Sequence, residues 1–589
     1  MAHTFHIPVL GLGYSIDTPL KVSRYGISSV VSIVDDELIE RMRAYHSQKN
    51  FHAFRPITKS EKDYRAKRIT AYLNFMHELI GAQCKALKQQ PFEKGTDLYR
   101  YFELLPKSSP LKQGFDLMMS YPEGESKIAL QHVLRNAIKL GSIDVNIMAK
   151  VDKMNYVDDE YTGDVNTDAL SALRGFAQSD LCASVILSAG MNPKLYSYIE
   201  NFEDFFPDAT GKLKKKIILK VSDFRSALIQ AKFLAKKGLW VSEFRIESGL
   251  NCGGHAFATE GYLLGPILEE FKIKKEEMLI ELFDMYQSAL ATKGYAIEDK
   301  PKQRISVQGG IGTAKEHDFL LEHYNLDATG WGSPFLLVPE VTNVDSETLN
   351  HLANAEPSDF YLSGASPLGV LFNNFRNSSV EQQRMERIEK GRPGSPCTKK
   401  YLCNNTEFTE QAICTASRAY QHLKIKSLKE AELSEAEYQK QFDLVTEKVC
   451  LCEGLCSSNY LKYDMIKPKE NKAVAICPGP NLAYFSDVYS FDEMVGHIYG
   501  RTNLLAGVER PHVFIKELNL YIDYLQEDIK KQFQSFSDKK RKQLNNFKSQ
   551  LAEGITYYKS LFSQISDQAA IQLQELALLK GKLDQIVVE

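Results

Sequence analysis

Up to about residue 340, short apolar runs rich in β-branched residues alternate with longer stretches whose apolar positions recur at helical spacing. That alternation predicts strands followed by helices, the mark of a parallel α/β fold. The runs are residues 5–12, 28–34, 143–148, 183–188, 216–221, 241–247, 304–308 and 327–331. Eight strands of this kind predict a closed (β/α)8 TIM barrel over residues 1–340. One spacing is uneven. Residues 35–141 separate the second and third strands and read as helices, most clearly at 60–89 and 125–140. A structureless loop of that length is improbable, so a helical insertion on the barrel edge is expected.

After Pro339 the alternation stops. Residues 341–430 are rich in Asn, Ser, Pro and Gly and read as a loop-rich connecting region, and residues 431–589 as a mostly helical C-terminal extension. Within it, 518–533 and 539–565 carry apolar residues at helical spacing among Lys, Gln and Asp, so each packs one face and solvates the other. A cap on the barrel, or a homodimer contact, is the expected role.

Composition narrows the class. The chain has 589 residues, 43% hydrophobic and 25% charged, which excludes disordered, collagenous and fibrous proteins. A formal charge of -3 removes any general electrostatic attraction to nucleic acid or to an anionic membrane surface. The N-terminus lacks the basic patch and apolar run of a signal peptide, and nowhere do 18 apolar residues run together, so a cytoplasmic protein is expected. Ten cysteines are too sparse for a disulfide scaffold; seven fall between Cys397 and Cys477.

The most informative stretch is Val241-Ser-Glu-Phe-Arg-Ile-Glu-Ser-Gly-Leu-Asn-Cys-Gly-Gly-His-Ala256. Gly253 and Gly254 free the backbone immediately before His255, at the C-terminal end of a strand, where barrel enzymes keep their chemistry. An imidazole there suits proton transfer beside a cofactor. The plainer alternative is a loop histidine that satisfies backbone groups. A second stretch, Ile305-Ser-Val-Gln-Gly-Gly-Ile-Gly-Thr-Ala-Lys315, ends a strand in Gly309, Gly310 and Gly312 and opens a helix, so backbone N–H groups can converge on an anion. The next strand ends in Gly330, Gly332 and Ser333. Paired small-residue turns on the last two strands form the usual barrel phosphate site. Asn146, polar within an apolar strand, is either a flavin contact or a satisfied core amide.

In this order the Asn146 strand, the Cys-Gly-Gly-His255 loop, the Gly-Gly-Ile-Gly312 turn and the Gly-Trp-Gly-Ser333 turn resemble the nitronate monooxygenase (2-nitropropane dioxygenase) family of FMN-binding barrels. The opening Leu10-Gly-Leu-Gly-Tyr-Ser-Ile-Asp-Thr-Pro19 resembles that family's first flavin-contacting strand, which implies cofactor contacts at Gly11 and Gly13. Cys456-Ser-Ser-Asn459 and Ile476-Cys-Pro-Gly-Pro-Asn-Leu-Ala-Tyr-Phe-Ser486 are similar to the C-terminal signature of stand-alone enoyl reductase subunits of polyunsaturated fatty acid and polyketide synthases. The acidic residue those proteins carry two positions before the Gly-Gly-His loop is Asn251 here.

The resemblance implies an FMN-dependent oxidoreductase. The glycine turns and Ser333 would anchor the phosphate, Asn146 with Gly253 and Gly254 would border the flavin, and His255 would position or protonate the substrate. As an enoyl reductase it would pass hydride from NAD(P)H through flavin to an acyl-thioester double bond, carried as a small molecule or on an acyl carrier protein. As a nitronate monooxygenase the reduced flavin would meet oxygen. Two rivals stand apart: a redox protein with a zinc ion or iron-sulfur cluster on Cys450, Cys452, Cys456 and Cys477, with Cys397, Cys403 and Cys414 nearby in sequence; and a non-catalytic scaffold. The cysteine spacing matches none of the usual C-x2-C patterns, so no metal is expected.

Overall fold

The computed structural model describes residues 2–148, 152–157, 160–188, 190–256, 260–531, 537–565 and 569–588. Eight strands close a parallel barrel: β1 (Phe5–Ile7), β2 (Ser28–Ser32), β3 (Ile143–Ile147), β4 (Ala183–Leu187), β5 (Lys215–Val221), β6 (Val241–Glu247), β7 (Arg304–Gln308) and β8 (Ala328–Gly330). Each pairs with its neighbours in sequence order, and β8 closes on β1 through Phe5↔Thr329. The first strand stops at Ile7 instead of reaching residue 12. Pro8 has no N–H to give a ladder, and Gly11 turns the chain at φ +66°.

Period-2 alternation decides what faces the barrel axis. On β6 it aligns Glu243, Arg245 and Glu247, on β7 Arg304, Ser306 and Gln308, and on β3 Asp144 and Asn146. Deep in the barrel, buried Arg245 bonds Glu243 Oε1 from Nε at 3.0 Å and Nη2 at 2.9 Å, and Ser306 Oγ donates to the same oxygen at 2.6 Å. Val30, Ile186 and Ile218 form a small buried apolar cluster of their own beside this polar set.

The insertion after β2 is helical, with Asp36–Lys49, Tyr64–Gln89, Asp97–Leu104, Pro110–Ser120 and Glu125–Ala137. Asp36 ties the first two of these together by accepting from Arg65 Nη1 and Arg68 Nη1, each at 2.8 Å. Residues 341–430 contain three α-helices, Ser346–Ala353, Ser379–Glu389 and Arg418–Glu430, and an antiparallel ribbon, β9 (Phe360–Ser363) with β10 (Phe372–Phe375). Among the described residues, no helix is long and apolar enough to cross a membrane.

The C-terminal region docks on the loop that follows β6. Its helices include Leu451–Lys462, Val513–Lys531, Asp538–Ile565 and Ala569–Asp584; residues 532 and 533 of the expected 518–533 helix lie outside the described residues. Tyr521 Oη accepts from Gly249 N at 2.9 Å, and Tyr558 Oη from Gly265 N at 3.0 Å. Glu517 Oε2 accepts from Leu264 N at 2.8 Å. Burial pushes the Glu517 carboxyl up to about 7. Because the folded value lies above the unfolded one, the protonated form favours folding. Stability from this group is full at low pH and is lost as pH rises from about 4.5 through 7, by on the order of 3 kcal/mol. Glu517→Gln should therefore flatten the fall in thermal midpoint between pH 5 and pH 8. An unchanged pH profile would count against a buried, protonated Glu517.

Candidate functional site at the barrel mouth

All eight strands point their C-terminal ends to one rim, and there a cavity of about 200 Å³ opens. This is below the roughly 300 Å³ at which ligand clefts usually begin, so it suits one end of a ligand better than a whole nucleotide. Its floor is polar and comes from the strand ends: Ser32, Asn146, Ser188, Lys220 and Glu247. Its roof is mostly apolar and comes from later in the chain, including Leu368, Phe372, Tyr401, Leu451, Leu455 and Ile476.

The floor is a connected network. Lys220 Nζ lies 2.5 Å from Glu247 Oε2, and Gln308 Nε2 donates to Glu247 Oε1 at 2.8 Å. Because that bond fixes the Gln308 amide, its Oε1 faces His6, whose Nε2–H donates across 3.3 Å. Burial pushes the His6 imidazole down to about 3, so it is neutral and held in the Nε2–H tautomer. Ser32 and Asn146 are register partners on β2 and β3. Asn146 thus stands among polar side chains on the floor. The lysine, the glutamate and the glutamine carry a signal in the sequence: charged or polar residues at every second position of otherwise apolar strands.

The Gly-Gly-His loop is built between two parts of the chain. Gly253 has φ +117°, and a Cβ there would lie 2.2 Å from Cys477 O. Gly254 has φ +75°, donates its N–H to Cys477 O at 3.0 Å, and would meet nothing within 4 Å if given a Cβ. Asn251 organises the loop. Its Oδ1 accepts from Gly253 N at 3.1 Å and from Asn373 Nδ2 at 2.8 Å, while its Nδ2 donates to His255 O at 2.7 Å. A carboxylate at this position could accept the two bonds but not donate the third. His255 lines the cavity with Nε2 at 2.7 Å from Ser366 Oγ and its ring edge-on to Phe372. Cys252 also lines the cavity, but burial raises its thiol far above the usual range, which keeps it protonated.

The two glycine turns lie at the same rim, outside the lining of the cavity. Gly309, Gly310 and Gly312 follow β7, and Gly330, Gly332 and Ser333 end β8; all six are buried. Among the described residues, the amides of Gly310, Ile311, Thr313, Gly332 and Ser333 have no protein acceptor, whereas Gly312 N donates to Glu316 Oε2 at 2.8 Å. Buried amides without acceptors are rare, and a set of them on two adjacent turns is a ready anion cradle. The Ser333 hydroxyl is already engaged, donating to Cys252 O at 2.9 Å and accepting from Gly479 N at 2.7 Å.

This donor set fits FMN with only its ring end in the cavity: the turns outside the cavity offer amides for a phosphate, and the cavity offers open space over Gly254 and a polar floor. Gly11 lines the cavity, while Gly13 packs against the Leu451–Lys462 helix, its N–H on Leu455 O at 3.0 Å. The C-terminal cysteines diverge. Cys456 Sγ donates to Asp35 Oδ2 at 3.4 Å, Cys452 lines the cavity roof, and Cys477 meets the Gly-Gly loop through its backbone. Among the described residues no group of three or more His, Cys, Asp or Glu side chains is arranged to hold a metal ion.

No protein-family model and no curated protein sequence matches the chain. Solved structures do. The chain is similar to FabK from Thermotoga maritima at 11% identity and a TM-score of 0.36, covering 90% of this chain and 96% of that one. It is similar to the enoyl reductase domain of MlnA from the macrolactin biosynthesis cluster of Bacillus amyloliquefaciens at 14% identity and a TM-score of 0.30, covering 73% and 87%. It is also similar to nitroalkane oxidase from Streptomyces ansochromogenes at 10% identity and a TM-score of 0.35, covering 85% and 95%.

Proposed function

We propose that the protein is an FMN-dependent oxidoreductase of the enoyl reductase kind. The observation that carries this reading is the pairing of acceptor-free amides on the β7 and β8 turns with a polar-floored, apolar-roofed cavity at the same rim. Bound FMN supplies a hydride acceptor and donor at its N5. The chain's own residues do the rest. The amides of Gly310, Ile311, Thr313, Gly332 and Ser333 would hold the phosphate, and Asn146 and Lys220 would border the ring from the floor. Lys220, held by Glu247 at 2.5 Å, would present its ammonium side chain to the ring edge in a fixed position.

His255 would hold or deliver a proton at the substrate, from the loop that forms one wall. Ser366 fixes its Nε2, so the imidazole meets the substrate in one orientation. The roof favours an aliphatic substrate, since it is formed mostly by leucine, isoleucine and aromatic side chains with little to pair a polar group. That supports an acyl-thioester double bond over a small nitronate. The test is turnover by the flavin-loaded protein of NAD(P)H with a medium-chain 2-enoyl thioester under nitrogen. Saturated thioester formed in step with NAD(P)H consumption is expected. Nitroalkane oxidation that requires oxygen, with the enoyl thioester untouched, would replace this reading by the monooxygenase one.

A further inference from the structure

The carbonyls of the β7 turn are held one after another by side chains of the C-terminal region. Arg510 Nη2 donates to Gly310 O at 2.5 Å, Asn481 Nδ2 to Ile311 O at 2.8 Å, and His497 Nε2 to Gly312 O at 2.8 Å. His497 can do so in one neutral tautomer only, because its Nδ1 accepts from Leu504 N at 3.2 Å. The three donors are themselves linked. Arg510 Nε donates to Asn481 Oδ1 at 3.0 Å, and Arg510 Nη1 to Glu316 Oε1 at 2.7 Å. Glu316, at the start of the helix that follows the turn, takes the Gly312 amide with its other oxygen.

Peptide planarity gives this arrangement a consequence for the cofactor. In a trans peptide the N–H of a residue points opposite to the carbonyl of the residue before it, and among the described residues there is no cis bond. Pinning Gly310 O toward Arg510 therefore aims the Ile311 N–H away from the C-terminal region, and pinning Gly312 O toward His497 does the same for Thr313. Those are two of the amides left without an acceptor; the peptide that Asn481 pins gives its Gly312 N–H to Glu316, so Asn481 acts on the set by holding Arg510 through its Oδ1. Glycine supplies the conformations this requires, with φ +97° at Gly309 and +75° at Gly310. A Cβ on Gly312 would sit 2.5 Å from Arg510 Nε, so the guanidinium packs directly on the turn.

Charge pairing holds the C-terminal side of the turn together: the buried Arg510 guanidinium meets Glu316, and half-buried Lys516 donates to Pro480 O at 2.9 Å beside the Tyr484 ring. Burial and the Arg510 charge depress the Lys516 ammonium well below its usual range, and the Glu316 carboxylate offsets part of this.

We propose that Arg510, Asn481 and His497 are positioning residues for the cofactor phosphate: the C-terminal region holds the β7 turn in the conformation that aims its amides at a phosphate group. The proposal rests on the FMN reading. It places part of the phosphate affinity in residues more than 160 positions downstream of the turn they act on.

The test compares FMN with riboflavin, which differ only in the phosphate, by fluorescence titration of flavin-depleted protein. Wild type should bind FMN far more tightly than riboflavin. Asn481→Leu and Arg510→Lys should each weaken FMN by roughly 10-fold or more, the loss of one or two buried hydrogen bonds, with riboflavin changed by less than about 3-fold. His497→Gln, which keeps an N–H donor, should stay closer to wild type than His497→Phe. If Arg510→Lys does not fold, Asn481→Leu carries the comparison. A fall of equal size for both flavins, or FMN affinity unchanged, overturns the positioning role while leaving the cofactor reading standing. Equal binding of FMN and riboflavin by wild type also overturns it. Failure of wild type to bind either flavin overturns the cofactor reading and the positioning role together.

Discussion

Replacing His255 by alanine should lower turnover per bound flavin by roughly 10²- to 10⁴-fold, the usual contribution of a positioned proton-transfer group, while fold and flavin content stay near wild type. The loop has support that does not come from the imidazole. The loop is held by backbone and asparagine contacts: Ala256 N to Leu371 O at 2.9 Å, Asn373 N to Gly254 O at 2.9 Å, and Asn251 Nδ2 to His255 O at 2.7 Å. None of these uses the His255 side chain. Alanine removes the 2.7 Å contact to Ser366 Oγ, and that hydroxyl keeps its bond from Leu368 N. The thermal midpoint should move by only a few degrees. A rate per flavin within a few-fold of wild type would show that His255 is not the proton-transfer group. Tyr14 would be the next candidate, since its hydroxyl at the cavity is already given to Ala475 O at 2.6 Å and is rigidly placed. Cys252 is the other, and burial pushes both the Tyr14 hydroxyl and the Cys252 thiol above their usual ranges.

The second large effect is expected at the phosphate turns. Gly310→Val should reduce flavin occupancy at least 10-fold in protein that still folds. Gly310 has φ +75°, a region a β-branched residue avoids, and its added Cβ would lie 3.0 Å from Leu250 Cβ and 3.1 Å from Val513. The turn would have to shift, and the Ile311 and Thr313 amides would lose their aim. Gly332→Val meets Cys252 Cβ at 2.6 Å and should act alike through the other turn. The check is flavin released per chain, with circular dichroism to establish folding. Full stoichiometry in folded Gly310→Val protein would mean the phosphate lies elsewhere.

The barrel was legible from the chain because buried parallel strands read as short β-branched runs, and β6 and β7 begin and end where the pattern places them. The end of β1 was less so, since an apolar run through Pro8 looks like strand until the missing amide is counted. At the site, Gly253 and Gly254 announced a tight loop, and the structure puts both on the cavity with His255. Lys220, Glu247 and Gln308 were visible only as polar residues in apolar strands, a pattern shared with satisfied core groups. The roof and the pinned β7 turn could not be read locally at all. They depend on Leu451, Ile476, Asn481, His497 and Arg510, which tertiary packing brings back over strands that end far earlier in the chain.

The central claim is that the barrel mouth holds FMN, and the most direct measurement is the visible absorption spectrum of freshly purified protein, followed by identification of what acid denaturation releases. A two-banded flavin spectrum, with FMN released at close to one per chain, is the expected result. A colourless protein that takes up no added FMN, or one whose absorbance belongs to iron and acid-labile sulfide, would contradict it.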